Sequence, residues 1–412
     1  MKRRDFLAAA AAATAAGAAS WLPQSVHAQT LAATAQARAS GYENLLILVE
    51  LKGGNDGLNT VVPYADPLYA RYRSTIGVRR GDAIQLDERT ALHPALAPLL
   101  PMWRAHELAI VQGVSYAQPN LSHFRSIEIW DTASRSDQYL REGWLTRAFA
   151  TTPVPKGFAA DGLVLGSAEM GPLANGARAI ALVNPAQFAR ASRLVTPVAL
   201  QERNPALAHL LDVENDIVHA ADQLRPRPGE YALKTAFPAG AFGAFGASVK
   251  TAMQALASGE TAQGAPVQGD GVAVIRLTLN GFDTHENQPE RHAELLRQFA
   301  AGMVAMRSAL IEMGRWDRTL IATYAEFGRR VRENQSRGTD HGTASAHFVA
   351  GGRVAGGLYG EAPALARLDG NGNLPVAIDF RQIYATVLNG WWGLDAASVL
   401  QQRFEPLPLL RA

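Results

Sequence analysis

Residues 339–347, TDHGTASAH, set Asp340 beside His341 and add His347 within one short segment, just after an apolar run that reads as a strand. Two similar signals lie upstream: Asp56 in KGGNDGLN, and Asp283 with His285 in NGFDTHENQ. Carboxylates and imidazoles brought together at strand ends are the donor set that a divalent cation takes. The chain has no cysteine, which excludes disulfides, thiolate ligands and a cysteine nucleophile. An ion must therefore be held by His, Asp, Glu or hydroxyl groups, which suit zinc, manganese, magnesium or calcium.

Each of these residues also has a plainer use. The glycines around Asp56 let backbone approach a ligand, but Asn55 and Asp56 can equally cap a short helix. Asp283 stands where an N-cap aspartate would. Ser122, in PNLSHFRSIEIW, precedes a helical stretch whose free N–H groups favour an anion, so it is a candidate nucleophile; serine is also a common N-cap. Arg125, one turn on, is placed to pair with an anionic substrate or to lie solvated on the surface. His123 fits a ligand, a proton shuttle or packing.

The elements that must position these residues follow from periodicity. LLILVELKGG from Leu45 is a near-continuous apolar run, as expected of a strand buried on both faces. Strands are also predicted at 107–115, at 272–282 and in RTLIATYAEFG, which ends beside Glu326. Helices are predicted at 122–133, 142–150, 246–258, 290–314 and 380–393. The run FVAGGRVAGGLYG reads as a glycine-rich hairpin. Residues 151–245, rich in Pro, Gly and Ala, fit an insertion beside the main sheet. Strands alternating with helices indicate an α/β fold with a large, mostly parallel sheet, helices on both faces, and ligands at the carboxyl ends of its strands.

The amino terminus reads as an address. Lys2-Arg3-Arg4-Asp5-Phe6-Leu7, then an Ala-rich stretch ending in Val26-His27-Ala28, has the form of a twin-arginine leader over 1–28, with a linker at 29–41 and one domain from 42 to 412. The expected partner is the twin-arginine translocase, and the expected location periplasmic or secreted, with no stable membrane span after cleavage. Three of the 39 basic residues and one of the 37 acids lie in that leader, so the remaining chain is formally neutral and gives no case for nucleic acid binding.

The twin-arginine leader together with KGGNDGLNTVVPY, LSHF, NGFDTHENQ, EFGRR and DHG…H resembles the exported bacterial family called domain of unknown function 1501, over about residues 44–393. That family is similar to the alkaline phosphatase and sulfatase superfamily. The resemblance implies an alkaline-phosphatase-like fold and two divalent ions at the strand ends, acting on a small-molecule or envelope-polymer ester of phosphate or sulfate. It implies Asp56, Asp283, His285, Asp340, His341 and His347 as metal ligands and Ser122 as nucleophile, with Arg125 beside the transferring group. The chain departs from the pattern in two places. Asp283 and His285 are only two apart, and Glu326 occupies the strand end where Asp-His is expected. Either Glu326 is the ligand, or the basic loop RRVRENQSRG folds Asp340 and His341 back into place. These departures leave a second expectation, a catalytically weak envelope-binding protein on the same scaffold; the sequence also does not exclude a third, a transferase.

Overall fold

The computed structural model describes residues 41–182, 232–237, 243–258 and 271–411. The leader, nearly all of the linker and most of 183–270 lie outside the described residues.

The run from Leu45 forms β1 (Leu45–Lys52), with seven of its eight residues buried. It lies inside a nine-stranded sheet with β2 (Leu108–Ser115), β3 (Ala160–Leu165), β4 (Ala179–Leu182), β5 (Val272–Asn280), β6 (Thr319–Tyr324), β7 (Ser345–Ala350), β8 (Gly357–Tyr359) and β9 (Ile378–Asp379). The order is β8, β2, β7, β6, β1, β5, β3, β4, with β9 also on β2. All pairings are parallel except those of β7, which runs against both β2 and β6. The carboxyl ends of β1, β2, β5 and β6 therefore share an edge with the amino end of β7.

Alternate residues of β1 supply two cores, because strand side chains point to opposite faces. Leu45, Ile47, Val49 and Leu51 share one cluster with α3 (Gly243–Ser258) and α4 (Gln288–Glu312). Leu46 and Leu48 share the other with Trp130 of α1 (His123–Thr132), Trp144 of α2 (Trp144–Thr151) and Tyr384 of α5 (Phe380–Ala385). The mixed, mostly parallel sheet covered on both faces agrees with the expected fold class. The long helix starts two residues earlier than predicted because Pro289 sits in its first turn, where a missing N–H costs nothing, and it stops before Gly314 at φ +66°.

FVAGGRVAGGLYG is not a hairpin. Its two strands, β7 and β8, pair with β2 on opposite sides, so the glycines carry the chain across the end of β2. The predicted helix 380–393 stops at Ala385 and continues as a wider π-helical turn, Thr386–Trp391. Within 151–245, β3 and β4 extend the main sheet at one edge; residues 183–231 lie outside the description. Among the described residues no helix is long and apolar enough to cross a membrane.

The second face also buries charge. Arg276 donates to Glu50 at 2.7 Å and to the Tyr324 hydroxyl at 2.7 Å, and Thr278 donates to Glu50 at 2.8 Å. Asp131 of α1 keeps a sealed Oδ1 without a partner. Burial, reinforced by Glu50 and opposed by Arg276, pushes its carboxyl up to about 8. The folded state then holds a proton that the unfolded chain releases near pH 4, so this site's contribution to stability falls as pH rises from about 4 to 8. Melting temperature measured across that window should decline in the parent and decline less in Asp131→Asn; equal slopes would remove Asp131 as the cause.

Candidate metal centre

Four strand ends build the site. Beyond β1 lies Gly53, where an added Cβ would collide with the backbone nitrogen of Asp283, so the glycine turn draws the ends of β1 and β5 together (φ +114°). Beyond β6, Gly328–Arg329 pairs antiparallel with His341–Gly342. The basic loop between them thus folds back and returns His341 to the edge just before β7. The loop after β2 leads to His123, the first residue of α1.

Three imidazoles converge on one carboxylate. Nε2 of His285 lies 3.0 Å from Asp283 Oδ1, Nε2 of His341 lies 3.2 Å from the same oxygen, and Nε2 of His123 lies 3.4 Å from Oδ2. The Nε2 atoms of His285 and His341 are 3.0 Å apart. Donors at bonds of about 2.0–2.1 Å in a tetrahedral site stand roughly 3.3 Å from one another, close to the spacing among Asp283, His285 and His341 and between Asp283 and His123. His123, Asp283 and His341 alone offer ligand atoms all within 4.8 Å of one another.

The outward nitrogens fix which ones are free to bind. His341 Nδ1 donates to the Leu121 carbonyl at 2.9 Å, and His123 Nδ1 donates to Glu326 Oε1 at 3.1 Å, so both Nε2 atoms keep lone pairs. Phe327 floors the pair, with ring centroids 4.4 Å from His341 and 4.9 Å from His123. Burial opposes ionisation of Asp283, yet the Arg329 guanidinium at 2.7 Å, then His341 and His285, bring its carboxyl down to about 2. Burial holds the His341 imidazole below its ordinary value, whereas the Glu326 hydrogen bond raises that of His123. Asp283 is 44% exposed, which leaves the cluster reachable from solvent.

Of the residues expected from the sequence, Asp283, His285 and His341 meet here. Glu326 stands behind His123 rather than beside the other donors, its Oε1 also accepting from Gly53 N at 2.8 Å. Asp340 is half-exposed, 3.6 Å from His285 Nδ1, and accepts from Asn334. The Ser122 residue is exposed, between the carbonyl that orients His341 and the imidazole of His123. Its hydroxyl makes no capping bond.

Three expected residues take other work. Asp56 is buried, and its carboxylate accepts from Arg73 Nη1 at 2.5 Å, Arg73 Nη2 at 3.1 Å, Gln288 Nε2 at 2.5 Å and Leu58 N at 3.2 Å. It also caps the short helix Gly57–Thr60. His347, the third residue of β7, lies inside the sheet against Trp130 at 5.2 Å, with Thr323 Oγ1 at 3.3 Å; burial drops its imidazole to about 3. Arg125 turns away from the edge: it donates to the carbonyls of Arg135, Ser136 and Gln138 and lies over the Tyr139 ring at 3.9 Å. Its position on the buried stripe of α1 with Ile129 was the available signal. His123 is the donor that sequence reasoning left among three uses, and Phe327 and Arg329 were not singled out.

A mixed α/β sheet gathering three imidazoles and a carboxylate at one edge defines a protein with a possible His/Asp metal site. The chain belongs to the family described as Protein of unknown function (DUF1501), whose model matches residues 109–404. That span starts in β2, later than the motifs suggested, and leaves Asp56 before it. Comparison with the curated proteins finds no match. Among solved structures the chain is similar to the lipoteichoic acid synthase LtaP from Listeria monocytogenes, at 8% identity and TM-score 0.38 over 88% of this chain and 76% of that one. It is also similar to Ps i-CgsB, at 11% identity and TM-score 0.31 over 87% and 72%. Likeness of that degree carries nothing about chemistry, which rests on the side chains above.

Two outcomes follow from this geometry. Glu326→Gln should bind zinc roughly 10–100-fold more weakly with its stoichiometry intact, because Glu326 accepts from His123 Nδ1 and lies outside the group of close donors; complete loss of the ion by titration would make it a ligand instead. Arg73→Ala should cost about 3–5 kcal/mol in denaturant unfolding, since it strands a buried carboxylate; a change near zero would contradict that pairing.

Proposed function

We propose that this protein is an exported, metal-dependent hydrolase of phosphate or sulfate esters, with Ser122 as its nucleophile. The observation that carries the reading is the exposed Ser122, whose hydroxyl makes no capping bond, next in sequence to His123 at the edge where His123, His341 and Asp283 converge with His285 beside them. His123, Asp283 and His341, with His285 beside them, fit one divalent ion, which when bound supplies Lewis-acid polarisation and favours the ionised form of a nearby hydroxyl.

The chain's own residues do the rest. Ser122 Oγ attacks phosphorus or sulfur, forming a seryl ester as the bond to the leaving alcohol breaks; water then cleaves that ester and restores the hydroxyl. Ser122 is the N-cap of α1, so the first-turn N–H groups and the positive end of the helix face charge that builds on the transferring group. Arg329, locked by backbone carbonyls of Gly53, Gly54, Phe282 and Thr339, holds the Asp283 carboxylate in place. Leu121 and Glu326 hold two imidazoles in the tautomer that leaves Nε2 open.

One observation favours the envelope-binding alternative: with Arg125 engaged elsewhere, the site lacks the side-chain anion partner expected of it. The deciding assay uses the full protein loaded with zinc or manganese, generic aryl phosphate and aryl sulfate esters, and Ser122→Ala. The hydrolase reading expects turnover to fall at least about a hundredfold in the variant while its metal content is unchanged. Turnover equal to the parent's would reject Ser122, and metal binding without turnover in either protein would favour the alternative.

A further inference from the structure

We propose that this centre takes a single divalent ion, because Arg73 permanently fills the cationic position beside Asp56 that a second ion would need. The inference rests on the metal-dependent reading above and fixes its stoichiometry. Two carboxylate oxygens have about four lone-pair directions, and Asp56 has four donors in place: two from Arg73, one from Gln288 and one from Leu58 N. The residue is 1% exposed, so no further ligand arrives from solvent.

Arg73 cannot easily leave. Its Nε donates to the Val331 carbonyl at 2.5 Å and its Nη2 to the Arg330 carbonyl at 2.9 Å, so withdrawing the side chain would strand buried carbonyls as well as Asp56. His347, the other expected distant ligand, is sealed between the sheet and Trp130. Among the described residues, the set around Asp283 is the one group of three or more such donors close enough to share an ion.

Asp56 is instead a positioning residue. Gln288, which donates to it, accepts from Thr284 at 3.1 Å and Thr339 at 2.6 Å. Thr284 lies between Asp283 and His285, and Thr339 two residues before His341. The pair Asp56–Arg73 thus steadies both loops that carry donors without touching an ion.

The test is metal stoichiometry on the full chain, equilibrated with excess zinc, freed of unbound ion and analysed by elemental mass spectrometry. Expected are one zinc per chain in the parent and in Asp56→Asn, and none in His123→Ala combined with His341→Ala. Asp56→Asn should also melt at a lower temperature. If that variant does not fold, Arg73→Lys takes its place and should still bind one ion. Two ions per parent chain, reduced to one in Asp56→Asn, would overturn the single-ion inference and leave the metal-dependent reading standing. No zinc in the parent would end both.

Discussion

The buried contact between Asp56 and Arg73 is the constraint on which the site's form depends. It neutralises a buried carboxylate just beyond β1, so neither partner is stable there without the other. Through Arg73 it fixes the backbone at 330–331, and through Gln288 it fixes the loops after β5 and before β7. Apart from the short antiparallel pair Gly328–Arg329 with His341–Gly342, these segments lack regular structure, and this network helps give them definite positions. Burial would raise the Asp56 carboxyl, yet the guanidinium holds it below its ordinary value, so the pair stays ionised at neutral pH.

Strand direction does the remaining placement. Parallel neighbours deliver their carboxyl ends to one edge, which brings Asp283 and Glu326 close. The reversed strand β7 adds residues from its amino side, which is how a segment beginning at His341 reaches that edge and why His347, a few residues later, has passed into the core. One reversal therefore separates a usable imidazole from a buried one within a single short motif.

Much of this was legible in the sequence. Continuous apolar runs gave β1, β2, β5 and β6, the positions just beyond β5 gave Asp283 and His285, and the Asp-His pair past the basic loop gave His341. What escaped depends on partners distant in sequence. Asp56 in a glycine loop looks the same whether an ion or an arginine faces it, and Arg73 stands among Arg71, Arg79 and Arg80 with nothing local to distinguish it. The glycine-rich run after β7 is ambiguous in sequence because glycines permit a hairpin and a crossing equally well; in the fold the backbone of His106 packs against Gly356. His123 follows a candidate nucleophile and begins a helix, and its use emerges from Glu326, two hundred residues away.

The donors come from the start of α1, the loop after β5 and the segment before β7, so they assemble only once the reversed strand has docked between β2 and β6. An ion that binds this cluster binds the finished sheet and not its partly folded precursors, and its binding energy is added to the stability of the whole chain. Metal capture would then act as a latch on the last step of folding: the same event that arms the site would make the completed fold slow to reopen.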